Sequence, residues 1–206
     1  MENTAFITGF AGMVGSHLGD YLYKNTNYKI VGFVRWQENF QNIEHFFNEI
    51  NNNGRIKLTY GDINDINSIE LALNEYKPNK VFHLAAQSYP LTSFTSSVDT
   101  LNTNIIGTEN VLSACKKIVP SALIHICSSS EVFGKVEKKD LPIKEENNFQ
   151  PASPYAISKV GTDLLGRFYA EAYKMNVMVT RMFTHTGPRR GDVFAESSFA
   201  KQIAMI

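Results

Sequence analysis

The sequence predicts an α/β fold: a doubly wound parallel sheet with helices on both faces. Three observations carry that expectation. Short apolar, β-branched runs alternate with longer stretches of helical periodicity. The runs are continuously apolar rather than alternating, as strands buried on both faces require. The first run leads directly into glycine-spaced residues and a helix, which is how a β-α-β unit begins.

The elements follow in order. Ala5-Phe6-Ile7-Thr8 is the first strand and Met13–Lys24 the first helix. Lys29–Val34 is the second strand, followed by a helical pattern over Ile43–Asn51 that the turn cluster Asn51-Asn52-Asn53-Gly54 ends. Ile56–Tyr60, the helix Asn67–Tyr76 and the strand Lys80–Leu84 continue the alternation. A long helix is expected over Val98–Lys117, then a fifth strand over Ala122–Cys127. Gly134 to Gln150 is a polar loop to which no regular structure is assigned. Pro154–Lys174 is the next helix and Val177–Met182 the sixth strand, while Ser197 to Ile206 has a helical pattern with no closing strand or cap. No internal repeat or low-complexity linker divides the chain.

Composition narrows the classes. A chain of 206 residues supports one good-sized domain, or one domain and the start of another. Hydrophobic residues at 43% and charged residues at 19% describe an ordinary soluble globular protein. Twenty basic residues balance twenty acidic ones, so neither nucleic acid nor a membrane is expected as a partner. No apolar run approaches the ~18 residues of a spanning helix, and the N-terminus lacks a signal-peptide pattern. Cys115 and Cys127 form no CxxC pair and fit no zinc spacing. They read as two buried reduced thiols of a cytoplasmic protein, and the five scattered histidines give no metal cluster.

The glycine-spaced stretch is Thr8-Gly9-Phe10-Ala11-Gly12-Met13-Val14-Gly15. Gly9, Gly12 and Gly15 permit a tight turn, close approach of backbone to a pyrophosphate, and packing of the helix on the sheet. The helix that Met13 and Val14 open then points its positive end at the phosphates. Because the stretch follows a strand and opens a helix, it predicts a Rossmann-type dinucleotide site over residues 1–206. Arg35, just after the second strand, suits the 2′-phosphate of NADP, with NAD the alternative. Asp62-Ile63 and Leu84-Ala85-Ala86-Gln87-Ser88 lie after strands three and four, where ligands of open sheets sit. Asp62 either contacts the adenine amino group or caps the helix after it.

Pro154-Tyr155-Ala156-Ile157-Ser158-Lys159 puts a phenol and an ammonium four residues apart on one helical face. A fixed cation beside a phenol favours phenolate and brings its pKa toward the working range. A hydroxyl from Ser129, in Cys127-Ser128-Ser129-Ser130-Glu131, can bind the same substrate oxygen. Such a set removes a proton from an alcohol while something else removes a hydride.

Together these motifs resemble the extended short-chain dehydrogenase/reductase family. Within it, Ser128 to Gly134, Ser153 to Lys159 and Phe183 to Gly191 are similar to the corresponding motifs of GDP-mannose 4,6-dehydratases. The resemblance implies a nucleotide-sugar 4,6-dehydratase. Tyr155 takes the sugar 4-hydroxyl proton as hydride leaves C4 for NADP, Lys159 holds phenolate and nicotinamide ribose, Ser129 binds the C4 oxygen, and Glu131 removes the C5 proton while water leaves C6. It also implies that His185 and Arg190 contact the cofactor, that a GDP-sugar is the substrate, and that the protein is a homodimer or homotetramer. Departures stand beside the matches. Thr184 occupies a position where these dehydratases usually carry Asn, and Asp99 and Asn104 lie in a helix more like those of the related reductases and epimerases. Such a reductase or epimerase stays open as a second reading. A third is an inactive cofactor-binding module, since the resemblance implies a C-terminal substrate portion that is missing or only begun near 184–206.

Overall fold

A computed structural model describes residues 3–206. Its centre is a parallel sheet of six strands, β1 (Thr4–Thr8), β2 (Lys29–Val34), β3 (Ile56–Tyr60), β4 (Lys80–His83), β5 (Leu123–Ser129) and β6 (Val177–Met182). They lie in the order β3-β2-β1-β4-β5-β6. The order reverses between β1 and β4, so a crevice opens at their carboxyl ends, which is where ligands of such sheets bind.

Side chains alternate across each strand, and two cores result. On one face Phe6, Val31, Val81, Ile124 and Ile126 pack with Leu73, Leu112 and Tyr169. These last three come from α3 (Ile66–Tyr76), α6 (Gly107–Ile118) and α7 (Pro154–Tyr173). On the other face Ala5, Ile7, Ile30 and Ile56 pack with Leu22 of α1 (Met13–Asn25), with Phe10, and with Ile43 and Phe46. Strand β1 is buried throughout. Over β4 and β5 buried residues alternate with half-buried ones, and Met178 of β6 is exposed. The second helical layer therefore covers β1 to β3, and the sheet face beyond it is open in this chain.

Most expected elements are present, with instructive differences. The pattern over Ile43–Asn51 becomes a 3-10 stretch, Gln41–Phe46, followed by α2 (Phe47–Asn51). A short helix absent from the sequence reading, α4 (Pro90–Thr95), starts at a proline, which suits a first helical position. The long helix expected over Val98–Lys117 is α5 (Ser97–Leu101), a π-helical turn over Asn102–Ile106, then α6. Ser128 and Ser129 extend β5 two residues past the expected end at Cys127, because they pair with Arg181 and Met182 of β6. The loop after Gly134 holds one 3-10 turn, Lys138–Asp140, and the chain finishes with α8 (Ala195–Ala204).

Candidate active site

The turn between β1 and α1 is shaped by what a side chain would hit. Gly9 has φ +68°, and a Cβ there would come within 2.8 Å of the Ala85 nitrogen. A Cβ on Gly15 would sit 2.3 Å from the Gly9 carbonyl oxygen. Gly12 N–H closes the turn on Gly9 O at 3.0 Å, and as N-cap of α1 it brings no side chain to occupy the first helical N–H groups. Those donors are left for an anion. Backbone this close and this unencumbered is a cradle for a pyrophosphate.

A buried chain of hydrogen bonds fixes the crevice behind the turn. Thr8 Oγ1 accepts from the Leu84 and Ala85 N–H groups, each at 3.1 Å, so its own proton points to His83 Nδ1 at 2.8 Å. That makes His83 Nε2 the donor to Thr108 Oγ1 at 3.1 Å, and Thr108 donates onward to the Asn104 carbonyl at 2.6 Å. Burial, with the charges of Lys159 and His125, pushes the His83 imidazole down to about 3, consistent with this neutral tautomer. Asn104, at 1% exposure, also accepts from Gln87 N–H at 2.8 Å, and donates to Gln87 O at 3.0 Å and to Ser158 Oγ at 2.8 Å. Ser158 lies between Tyr155 and Lys159, so this one side chain joins the Leu84–Ser88 segment to the helix that carries both.

Helix α7 begins at Ser153, whose hydroxyl accepts from Ala156 N–H at 3.0 Å, with Pro154 in the first turn. Tyr155 and Lys159 face inward and are both buried. Lys159 Nζ donates to Cys127 O at 2.9 Å, which anchors the helix on β5, and lies 5.9 Å from the Tyr155 ring centroid. Burial pushes the Lys159 ammonium down, opposed by Cys127. Burial also pushes the Tyr155 phenol up to about 12. The Ser129 hydroxyl pulls against this, Cys127 and Glu131 add to it, and Arg190 opposes it. The expectation that Lys159 brings the phenol toward neutrality is thus not met in the chain alone: burial dominates, and the groups that lower the phenol are Ser129 and Arg190. Ser129 has a structural task as well, accepting from Glu131 N–H at 3.2 Å to start the 3-10 turn Ser130–Phe133. Cys127 differs from expectation: only Cys115 is fully buried, and Cys127 lines the cleft with its Sγ 3.2 Å from Met182 Sδ.

The cleft has a volume of about 1480 Å³ and brings together Gly9, Gly12, Met13, Val14 and Gly15 with Arg35, Asp62, Ile63 and Leu84 to Ser88. Ser129, Glu131, Tyr155, Lys159, His185 and Arg190 line it too. It exceeds the roughly 300–1,000 Å³ of a site for one drug-sized molecule. Asp62 does not cap α3. Asp65 does, accepting from Asn67 N–H at 3.0 Å, while Asp62 Oδ1 closes the preceding turn on Asn64 N–H at 2.8 Å. His185 is exposed, its Nδ1 2.9 Å from Phe183 O, and its carbonyl accepts from Arg190. Arg190 lies over the Phe194 ring at 3.9 Å, and its Nε is buried without a hydrogen-bond partner among the described residues.

Residues the sequence reading missed tie the 183–194 segment across the rim. Asn42 Nδ2 donates to Ala11 O at 3.0 Å and to Arg189 O at 3.2 Å. His17 Nε2 lies 3.1 Å from Pro188 O. Arg189 pairs with Asp20 at 2.7 Å, and Asp20 also meets His45 at 2.8 Å. Burial disfavours ionisation of Asp20, but His45 and Arg189 together hold its carboxyl below the usual range. No spacing rule joins residues 147 positions apart. Among the described residues no group of histidine, cysteine and carboxylate side chains is placed to hold a metal, and no helix is long and apolar enough to cross a membrane.

Comparison with known proteins supplies an independent line. A GDP-mannose 4,6-dehydratase of Drosophila melanogaster is 34% identical, matching 100% of this chain and 53% of its own length. The crystal structure of dTDP-glucose 4,6-dehydratase from Bacillus anthracis with NAD is 25% identical, with TM-score 0.86 over 98% of this chain and 61% of that one. RMD of Pseudomonas aeruginosa, solved with NADPH, is 31% identical, with TM-score 0.78 over the same shares. The chain spans about half the length of the curated relatives it matches. The family model for GDP-mannose 4,6 dehydratase matches residues 6–206, and with the glycine cradle, the Ser129–Glu131 turn and the Tyr155/Lys159 helix in one cleft, the chain belongs to that family.

Proposed function

We propose that this chain forms the cofactor-binding and catalytic part of an NADP-dependent nucleotide-sugar 4,6-dehydratase, a lyase acting on GDP-mannose or a related GDP-sugar. The observation that carries this is Glu131 on the wall of the cleft that also holds Ser129, Tyr155 and Lys159. Alcohol oxidation needs the last three alone. A carboxylate two residues beyond Ser129 adds a base for the neighbouring carbon, whose hydrogen the new ketone acidifies.

The site suits a dinucleotide, since glycine at 9 and 15 lets the turn pack against Leu84–Ala85 and against itself, and Gly12 as N-cap leaves the first N–H groups of α1 for a phosphate. Bound NADP would accept a hydride from C4 and return it at C6, so none is consumed. Arg35 supports NADP over NAD by matching a 2′-phosphate. Tyr155 Oη takes the 4-hydroxyl proton while Ser129 Oγ holds the same oxygen. Lys159, with one N–H on Cys127 O, keeps two donors for the ribose and the phenolate. Glu131 takes the C5 proton and hands it to the C6 hydroxyl, which leaves as water, while C5 regains a proton from solvent and Tyr155 releases the one it took. His185 and Arg190 line the same cleft and would support the cofactor from the 183–194 segment. The exposed side chains of Phe94, Val98, Leu164 and Phe168 make an apolar face on α4, α5 and α7, which supports pairing with a second copy.

Incubation of the protein with GDP-mannose and catalytic NADP⁺ tests this reading. The expected result is a GDP-4-keto-6-deoxy sugar without net NADPH. Stoichiometric NADPH oxidation on a keto sugar would establish a reductase instead, and NADP binding without turnover a binding module. Glu131→Gln is expected to allow C4 oxidation and block elimination, which deuterium exchange at C5 reads directly.

A further inference from the structure

Two charges at the end of β2 stand close together without neutralising each other. The Arg35 guanidinium has no hydrogen-bond or ion-pair partner among the described residues, although it lines the cleft. The Glu38 carboxylate lines it too, and its one partner is backbone: Oε2 accepts from Arg35 N–H at 3.2 Å, and Glu38 N–H returns a bond to Arg35 O at 3.3 Å. The turn 35–38 thus holds a cation and an anion at the same rim. That rim is next to the glycine turn, because Phe33 of β2 pairs with Thr8 of β1.

In a doubly wound sheet this position meets the adenosine ribose. A carboxylate there accepts from a 2′-hydroxyl, and an arginine suits a 2′-phosphate. Here both types are present. A phosphomonoester carries about −1.5 to −2 at neutral pH, so a 2′-phosphate would be drawn by Arg35 and opposed by Glu38. A 2′-hydroxyl has nothing to fear from the carboxylate and can donate to it.

Resting on the dinucleotide reading above, we propose that Glu38 sets cofactor choice in this chain, admitting NAD beside NADP by opposing the 2′-phosphate that Arg35 attracts. Glu38 acts at the ribose and does not touch the Tyr155/Lys159 end, so preference and chemistry are separable. Trp36, the chain's single tryptophan, lies in the same turn, its ring 5.0 Å from that of Tyr60. Its emission is a local reporter of this end of the site.

The test is equilibrium binding of NAD⁺, NADP⁺, 5′-ADP and 2′,5′-ADP to the 206-residue chain and to Glu38→Gln, read by Trp36 emission and by calorimetry. Glutamine keeps an oxygen for the Arg35 N–H and removes only the charge. In the unaltered chain NAD⁺ and NADP⁺ are expected to bind within about tenfold of each other, a gap of about 1.4 kcal/mol. Glu38→Gln is expected to tighten NADP⁺ and weaken NAD⁺, moving their ratio by about tenfold or more. Arg35→Ala should weaken NADP⁺ and 2′,5′-ADP and spare NAD⁺. A ratio that Glu38→Gln leaves unchanged overturns the proposal. So does a preference of about a hundredfold for 2′,5′-ADP over 5′-ADP in the unaltered chain, which needs no variant. If neither dinucleotide binds, the cofactor reading falls with it. If both bind and the ratio ignores Glu38, the proposal alone falls.

Discussion

Tyr155 is only 9% exposed, and the burial that makes its hydroxyl a protected proton carrier also pushes the phenol up to about 12. At neutral pH the chain alone therefore holds Tyr155 protonated. The opposing influences are the Ser129 hydroxyl and the positive charge of Arg190, and a bound cofactor that adds positive charge beside the ring acts in the same sense. If the hydroxyl is the proton carrier, Tyr155→Phe keeps the ring packing and removes the chemistry. Turnover of GDP-mannose should fall by about 10²–10⁴-fold, with NADP affinity by calorimetry unchanged. Normal turnover in that variant would remove Tyr155 from the mechanism. The pairing of Tyr155 with Lys159 was legible because helical spacing alone puts them on one face. The direction of the pKa was not, because desolvation comes from neighbours that tertiary packing supplies. Asn42 was illegible for a related reason: its partners Ala11 and Arg189 are 31 and 147 positions away in sequence and are brought to it by the fold, not by local sequence.

At the scale of elements, polar side chains do the joining. Thr8, His83 and Thr108 connect the ends of β1 and β4 to the π-helical turn of the long helix, and Asn104 passes that connection to α7. The π turn is where the helix departs from regular pitch, a deviation common at functional positions. His83 has its pKa lowered in the folded chain, so the unfolded chain binds the extra proton at intermediate pH. Stability should therefore fall as pH drops from about 6.5 toward about 3, by at most about 1.4 kcal/mol per unit from this residue. Urea titrations of the native chain and His83→Gln across that window should show the shallower slope in the variant. Identical slopes would mean that His83 does not titrate on unfolding. A second junction is Asp163 of α7, at 0% exposure, which accepts from Arg181 Nε at 2.8 Å and Arg167 Nε at 3.0 Å. Arg181 in turn bonds Glu145 O at 2.7 Å and lies 5.3 Å from the Phe133 ring, behind the turn that carries Glu131. Asp163→Asn leaves two arginines short of a carboxylate, and denaturation should show a loss of about 3–5 kcal/mol. Strands were readable from apolar runs, whereas α4 was not, because six residues offer too little periodicity.

At the scale of the molecule, the sheet order sets one crevice and nearly every motif drains into it. That outcome followed from the sequence as far as motifs sit at the carboxyl ends of strands. The covering of the sheet did not, because β4 and β5 have one half-buried face and no residue of β6 is fully buried, although the strand pattern alone presented all three as apolar on both faces. The apolar face over α4, α5 and α7 gives a test of assembly. Sedimentation should report a dimer, and Leu164→Glu with Phe168→Glu should give a monomer of unchanged helical content. A monomer before substitution would dismiss the paired state. The ties made by His17, Asn42 and Asp20 to the 183–194 segment bear on time rather than on shape. A dinucleotide seated beneath them would have to wait for several bonds to break together before it could leave. Residence would then outlast many catalytic cycles, and the nucleotide would behave less like a reagent drawn from solution than like a fixture of the protein.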